Sequence, residues 1–492
     1  MTPVEPFVGR SAIVKATFLV IAITVFGAVL RLYGLADESL RLDEGYLYAR
    51  ITSSYWGTLT HWDTQWQGVL FAVVEKLWCD IFGHSEVSLR LLPALFGILT
   101  VPALYLLGRT LFSSGAGHIA ALLVAVNPCA IYFSQDARPY SLFLLLSVVS
   151  AYFAIRSLRS ESGRPRVLFA LSALAGLYVH PYGVFLLPFY ASLPFLPSDT
   201  PGPPFARRRY FQALAMVFAG YVPMLTVFAR TFIGKMSGRL HDADFIPQAT
   251  LSLLTDTGSK YFMSDLGAIL VGLIAVPVLI LRFRRRELSA ALLIPFSLAA
   301  CFVLIPWLAS QVFTPIYFFR YTIPALAALL LILAWVLSTL RVSLRVFLIL
   351  TLLAVSADSL ADYYTKVDKD PWRQTVELLR PRLQRGDLVI VNPPWAVRSL
   401  RYYLAEGDSI EIRAPWRVDD IRARLETASR FWLITAYKGS SDLRTAVRQA
   451  ADSCGIRVLS LSARDSVVVN PRAYLVGDIR ADLYQRKPRT ER

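Results

Sequence analysis

Runs of about twenty apolar residues recur along this chain, and they restrict it to folds that live in a bilayer. Eleven can be read, at 12–34, 88–112, 116–134, 139–156, 166–180, 182–197, 210–229, 262–281, 288–308, 321–340 and 342–359. Only a helix or a closed barrel satisfies its own backbone polar groups in hydrocarbon, and a helix needs roughly 20 residues to cross about 30 Å. Composition agrees: 55% of residues are hydrophobic and 17% charged, against about 25% charged in average soluble domains. The runs 166–180 and 182–197 are short and meet at His180-Pro181-Tyr182-Gly183. They are either two spans or one bent helix, and the choice sets the parity of everything after them.

Arginine placement decides that parity. The net charge is +16, from 51 Lys and Arg against 35 Asp and Glu. With the N-terminus in the cytoplasm and eleven spans, the cytoplasmic connections hold Arg109, then Arg156 to Arg166, then Arg207 to Arg209. Arg282 to Arg286 and Arg341 to Arg345 follow on the same side. Merging the short pair would split these clusters between two faces, against the positive-inside rule. The basic balance is therefore a topology signal, and no nucleic-acid partner is expected. The cysteines Cys79, Cys129, Cys301 and Cys454 are far apart, with no spacing for zinc or a disulfide framework.

The opposite, outer face then carries the loops with polar character. The first outer loop, 35–87, holds Asp43-Glu44, several tryptophans, and a stretch Val69–Phe82 expected to form an amphipathic helix at the interface. The next loop is Ser134-Gln-Asp136-Ala-Arg138-Pro-Tyr140, barely long enough to turn. Then come His180-Pro-Tyr182, a loop with Lys235, Arg239 and Lys260, and Arg320-Tyr321. The chain divides into 1–360, a transmembrane catalytic domain, and 361–492, a polar tail. Apolar runs at 387–391, 431–436, 458–462 and 466–470, with helical patterns at Trp372–Leu383 and Asp442–Ala451, make the tail a small extracytoplasmic α/β domain.

Each of these charged residues has a plain reading by itself: a solvated loop carboxylate, a helix-end ion pair, a structural histidine, a snorkelling arginine. Together they place carboxylates, an imidazole, arginines and tyrosines on one face. That set suits group transfer from a lipid phosphate, with a carboxylate taking the acceptor's proton and cations stabilising the departing phosphate.

The strings Arg41-Leu-Asp43-Glu44, Gly83-His-Ser-Glu-Val-Ser-Leu-Arg90, Tyr132-Phe-Ser-Gln-Asp136-Ala-Arg138-Pro-Tyr140, Tyr178-Val-His180-Pro-Tyr182 and Arg320-Tyr321-Thr-Ile-Pro324 occur in order over about residues 12–345. In these the chain resembles the GT-C superfamily, in particular the family 39 polyprenyl-phosphate-sugar-dependent glycosyltransferases, whose relatives include protein O-mannosyltransferases and the aminoarabinose transferase of lipid A. The resemblance implies an α-helical polytopic fold with about eleven transmembrane helices and a small C-terminal α/β domain.

It also implies residue roles. Asp43 matches the catalytic base and Glu44 the partner that orients the acceptor. Asp136 and Arg138 match the second-loop active-site pair. His180 and Tyr182 match a substrate site, beside Tyr140, and Arg320 with Tyr321 matches the carrier-phosphate site. Lys235 and Lys260 are added from loop position alone. Asp43, Asp136 and His180 are the candidates for a divalent metal, whose presence the sequence leaves open. At Asp63–Phe71 the chain departs from the His-Pro-Pro-Leu-Tyr-Tyr pattern of the family, and Gln65 or Gln67 is the available polar substitute.

The expected activity is transfer of a sugar, hexosyl or pentosyl, from a polyprenyl-phosphate donor to an extracytoplasmic hydroxyl on an envelope glycan or lipid, or less readily a protein, with inversion. The expected location is the bacterial inner membrane, in contact with its lipids, with the active site on the periplasmic side. Two other classes fit less well. A lipid-linked sugar flippase would carry polar residues at mid-bilayer, whereas the charges here sit at one rim. An inactive envelope-assembly scaffold would have no reason to keep Asp43, Asp136, Arg138 and His180 together. In the tail, Asp368–Asp370 and Tyr402-Tyr403 are candidates for glycan contact, with plain packing as the alternative.

Overall fold

The computed structural model describes residues 10–60, 68–197, 203, 205–236, 246–366, 369–404, 410–415, 417–436, 441–462 and 479–487. The chain divides into two units, one of Met1–Tyr33, Tyr55–Gly83 and Ser88–Leu360, the other of Gly34–Ser54, His84–Val87 and Ala361–Arg492.

The first unit is helical. Among the described residues seven helices are long and apolar enough to cross a membrane: Val14–Leu32, Glu86–Leu111, Tyr140–Leu158, Asp265–Arg284, Ala290–Val312, Phe319–Ser338 and Val342–Thr365. A bent pair, Ser114–Val126 and Pro128–Ser134, makes an eighth if it counts as one span. Phe319–Ser338 is the central helix, with 89% of its apolar window buried. Asp265–Arg284 instead presents Leu266, Ile269, Leu273, Val276 and Ile280 outward. Their spacing of three and four residues makes one stripe along the helix, and so much exposed aliphatic surface is stable against lipid rather than water. The protein is a multi-pass membrane protein.

Seven or eight helices meet that standard where eleven apolar runs were read, and prolines account for much of the difference. Proline disfavours helical geometry in the residue before it. Asn127, before Pro128, is extended (φ −66°, ψ 121°), and the run 116–134 bends there by 60°. His180, before Pro181, is extended too (φ −150°, ψ 139°) and ends the 17-residue helix Gly163–Val179. The run 182–197 then folds as a 3-10 turn Pro181–Phe185, a short helix Leu186–Ser192 and a second 3-10 turn Leu193–Phe195. The run 210–229 lies within Ala206–Met236, a 31-residue helix. The loop helix forms at Val69–Phe82, the residues expected. Its start is locked: a Cβ on Gly68 would lie 1.8 Å from the Val179 carbonyl oxygen.

In the second unit, β1 (Leu388–Asn392), β2 (Glu411–Arg413), β3 (Arg430–Ala436), β4 (Gly455–Ser462) and β5 (Ile479–Arg486) form one sheet, ordered β2-β1-β3-β5-β4. β1 is parallel to β2 and β3, with Val389 opposite Trp432, while β5 runs antiparallel to β3 and β4. All of β1 is buried, as a strand covered on both faces must be. One face packs Val389, Val391, Trp432 and Ile434 against helices Trp372–Leu379 and Val397–Tyr403. The other packs Leu388, Ile390, Phe431 and Leu433 against Asp419–Thr427 and Ser441–Cys454. β1, β3 and β4 fall on expected runs, and 466–470 lies outside the described residues. β5 was not expected. Its sequence, Ile-Arg-Ala-Asp-Leu-Tyr-Gln-Arg, hides a buried Asp482 that pairs with Arg448 at 2.9 Å.

Candidate functional site

In the membrane unit the site is built at two proline breaks. At the first, Asn127 Oδ1 accepts from Ala130 N at 2.8 Å and caps Pro128–Ser134. The interrupted helix leaves its last carbonyls without intrahelical donors. Arg31, fully buried, supplies them: its guanidinium donates to the Ala125 and Val124 carbonyls at 2.8 Å each. The seven-residue helix then delivers Gln135, whose Nε2 donates to the Arg31 and Tyr33 carbonyls at 3.0 and 2.6 Å. A tight turn follows, closed by Arg138 N donating to the Asp136 carbonyl at 2.7 Å. Asp136, Arg138 and Tyr140 are thereby all placed in the interior.

At the second break His180 caps its own turn, its Nδ1 accepting from Tyr182 N at 3.1 Å. Its ring centroid lies 5.0 Å from Tyr321, 5.8 Å from Tyr140 and 5.9 Å from Tyr182. Tyr182 in turn donates to the Ile316 carbonyl. Arg138 stands 5.9 Å from the Tyr140 ring, and the half-buried Arg320 is 4.6 Å over Phe318. His180 lies in the turn beyond the helix end. Its burial, with the Arg138 and Arg320 guanidiniums nearby, holds its pKa down to about 3, so the imidazole is neutral. A neutral ring that accepts at Nδ1 carries its proton on Nε2. That Nε2, and the Tyr140 hydroxyl, are buried with no hydrogen-bond partner among the described residues.

The structure thus brings together Arg138, Tyr140, His180, Tyr182, Arg320 and Tyr321, with Asp136 in the Arg138 turn. Lys260 is on the helix Ser252–Phe262, beside Tyr261. Tyr261 is a site-building residue that sequence reasoning missed. Its hydroxyl bonds Thr322 Oγ1 at 2.6 Å, and its carbonyl accepts from Asn127 Nδ2 at 2.9 Å. It therefore ties the first break to the residue after Tyr321. The Asn-Pro dipeptide was the available signal for the break; nothing signalled Arg31 or Tyr261. Lys235 lies on Ala206–Met236, its side chain outside the described residues, as are Arg239, Gln65 and Gln67.

Asp43 and Glu44 belong to the other unit, in the first turn of helix Leu42–Ile51. Asp43 Oδ2 pairs with Arg41 Nη2 at 2.6 Å, and its side chain is 17% exposed. Glu44, expected at the acceptor, is fully buried: Oε2 accepts from Arg41 N at 2.9 Å and Oε1 from Lys369 Nζ at 3.1 Å. The tail residues considered for glycan contact hold the chain instead. Tyr402 donates to the His84 carbonyl at 3.0 Å, and Tyr403 donates to Glu86. Asp368 lies outside the described residues. Among the described residues no three His, Cys, Asp or Glu side chains gather to hold a metal ion.

A bundle of membrane helices, proline-broken around a buried arginine–tyrosine–histidine site, and a small α/β unit form the GT-C architecture of glycosyltransferases. Residues 67–226 match the family described as dolichyl-phosphate-mannose-protein mannosyltransferase. A curated relative, dolichyl-phosphooligosaccharide-protein glycotransferase 1 of Pyrococcus furiosus, is 26% identical over 205 residues, 39% of this chain. The match spans 21% of that relative's length. Among solved structures, ArnT from Cupriavidus metallidurans superposes with TM-score 0.59 at 13% identity, covering 96% of this chain and 98% of that one. The oligosaccharyltransferase AglB of Archaeoglobus fulgidus, solved with an inhibitory peptide and dolichol-phosphate, gives TM-score 0.53 at 13% identity over 91% of this chain and 73% of its own. ArnT has also been solved bound to undecaprenyl phosphate.

Proposed function

We propose that the protein transfers one sugar from a polyprenyl-phosphate donor to a hydroxyl of an envelope glycan or lipid, on the periplasmic side of a bacterial inner membrane. The observation that carries this reading is the donor set in the membrane unit. Two guanidiniums, a neutral Nε2–H and a phenol O–H lie in one cluster, and the last two are buried without protein acceptors. Buried donors are normally satisfied, and an anionic phosphate is the ligand that would accept from all four.

In the reaction the acceptor oxygen bonds to the anomeric carbon as the bond from that carbon to the phosphate oxygen breaks. The electron pair leaves on the phosphate, turning a diester of one negative charge into a monoester that carries more. Arg138 and Arg320 stabilise that developing charge. The acceptor's proton goes to Asp43, whose carboxylate Arg41 orients. Direct displacement inverts the anomeric centre. The polyprenyl tail lies against the membrane helices, and ArnT and AglB, the neighbours of like fold, have been solved with such carriers.

The test is a transfer assay in a membrane lipid extract, with purified wild type and Asp43→Asn side by side, read by mass spectrometry. Wild type is expected to release free polyprenyl phosphate and form a glycosylated product, and Asp43→Asn to release none. Equal turnover in both removes Asp43 as the base. No release by wild type with native donor present removes the transferase reading.

A further inference from the structure

Lys369 and Asp370 open the tail segment of the second unit, and both are buried at 1% exposure. Each grips a residue adjacent to Asp43. Lys369 Nζ donates to Glu44 Oε1 at 3.1 Å. Asp370 Oδ2 accepts from Leu42 N at 3.2 Å, one of the first-turn amides that a helix cannot satisfy itself. The Asp370 carbonyl also accepts from the Ser39 hydroxyl. The same short helix is held again further along. Leu40 N donates to Tyr403 Oη at 2.5 Å, and Arg398 stacks 3.7 Å from the Tyr46 ring. Gly45 is pressed so close that an added Cβ would lie 2.6 Å from Ser399 Oγ.

A buried ion pair is a poor source of net stability, because desolvation offsets most of its attraction; what it supplies is a fixed geometry. Here the residues before and after Asp43 are fastened by consecutive tail residues, which fixes the backbone from which the Asp43 carboxylate projects. We infer that Lys369 and Asp370 are positioning residues for Asp43, and that the tail's contribution to transfer is to hold the helix Leu42–Ile51 in register. The inference rests on the reading of Asp43 as the base. Lys369 and Asp370 act through the helix, and Glu44 belongs with them as the anchor that Lys369 grips.

The test compares full-length wild type, Asp43→Asn, Lys369→Met, Lys369→Arg, Asp370→Ala and the double variant Glu44→Gln/Lys369→Met. Lys369→Met leaves a buried carboxylate without its cation and is expected to lose thermal stability. The double variant removes both charges and is expected to regain it. If the pair positions the base, the double variant still shows kcat lowered by roughly 10- to 100-fold, since small misplacement of a reacting group has that effect. Its donor KM stays within about twofold, because uniform binding is untouched. Lys369→Arg is expected to recover most of the rate. Hydrogen exchange gives a readout independent of turnover: amides of Leu42–Ile51 should exchange faster in Asp370→Ala and in the double variant, with β1 and β3 unchanged. A folded double variant with wild-type kcat and wild-type exchange, beside an inactive Asp43→Asn, overturns the positioning role and leaves the base intact. Full turnover by Asp43→Asn overturns both, so the two failures are told apart.

Discussion

Replacing Tyr140 by Phe removes one oxygen from the interior and separates a binding role from a structural one. The ring packs 4.7 Å from Phe133 and 5.8 Å from His180, and those contacts survive the change. The hydroxyl is buried with no hydrogen-bond partner among the described residues. An unsatisfied buried polar group costs about 1–3 kcal/mol, so deleting it should leave stability unchanged or raise it. The reaction should move the other way. A hydrogen bond to a charged group is worth about 1.5–3 kcal/mol, and if the phenol donates to the departing phosphate its loss lowers kcat/KM by about tenfold to 150-fold. The assay is carrier release from the native donor, run with thermal unfolding of the same detergent preparation. Lower transfer with an unchanged or higher Tm supports phosphate recognition. Unchanged transfer refutes it. A Tm lowered by several degrees shows that the hydroxyl serves the fold, and refutes the premise.

Arg320→Ala removes a half-buried cation expected at the carrier phosphate. It should raise the apparent donor KM by about 10- to 100-fold, on the same value for a charged hydrogen bond; an unchanged donor constant would take Arg320 out of the phosphate site. Gly68→Ala tests the lock between the loop helix and the His180 turn. A Cβ there meets the Val179 carbonyl carbon at 2.0 Å, and backbone cannot step aside as a flexible side chain can. Overpacking of this kind costs about 1–3 kcal/mol or more. Tm and transfer should fall together, and a variant with wild-type values of both would show that the helix start is free to move.

The parts of the fold that were legible in the sequence are those that one physical rule determines. Apolar runs marked the long helices, and Val69–Phe82 could be bounded because its charges interrupt a run too short to span. The proline breaks were half legible. His180-Pro181 was read as a turn, but Asn127-Pro128 was passed over inside a continuous apolar run. There hydropathy reported burial while the backbone preference before proline governed shape. The second break cost an element: 182–197 is apolar enough for a span, yet it folds as three short pieces that support the turn. β5 was illegible for the opposite reason, since a buried aspartate paired with Arg448 makes an interior strand look polar.

The candidate site shows the same division. Motif order put Arg138, Tyr140, His180, Tyr182, Arg320 and Tyr321 in one set, and the membrane unit brings them into one cluster. The residues that build that cluster are Arg31, Asn127 and Tyr261, and their work is on backbone atoms: carbonyls left by a broken helix, a cap on the next one, a carbonyl bridge between the two. A side chain that serves backbone has no partner type to announce it in sequence. Lys369 and Asp370 are a further case, because their partners, Glu44 and the Leu42 amide, lie more than three hundred residues earlier. A motif records the chemistry required at the reacting centre. The groups that hold such a centre answer only to local geometry, and many side chains can meet that demand. Reading the chain therefore finds the chemical set first and its supports last, and the acidic pair illustrates both. Asp43 is recognisable as a reactive carboxylate, while its neighbour Glu44, alike in sequence, is spent on fastening the helix that carries it.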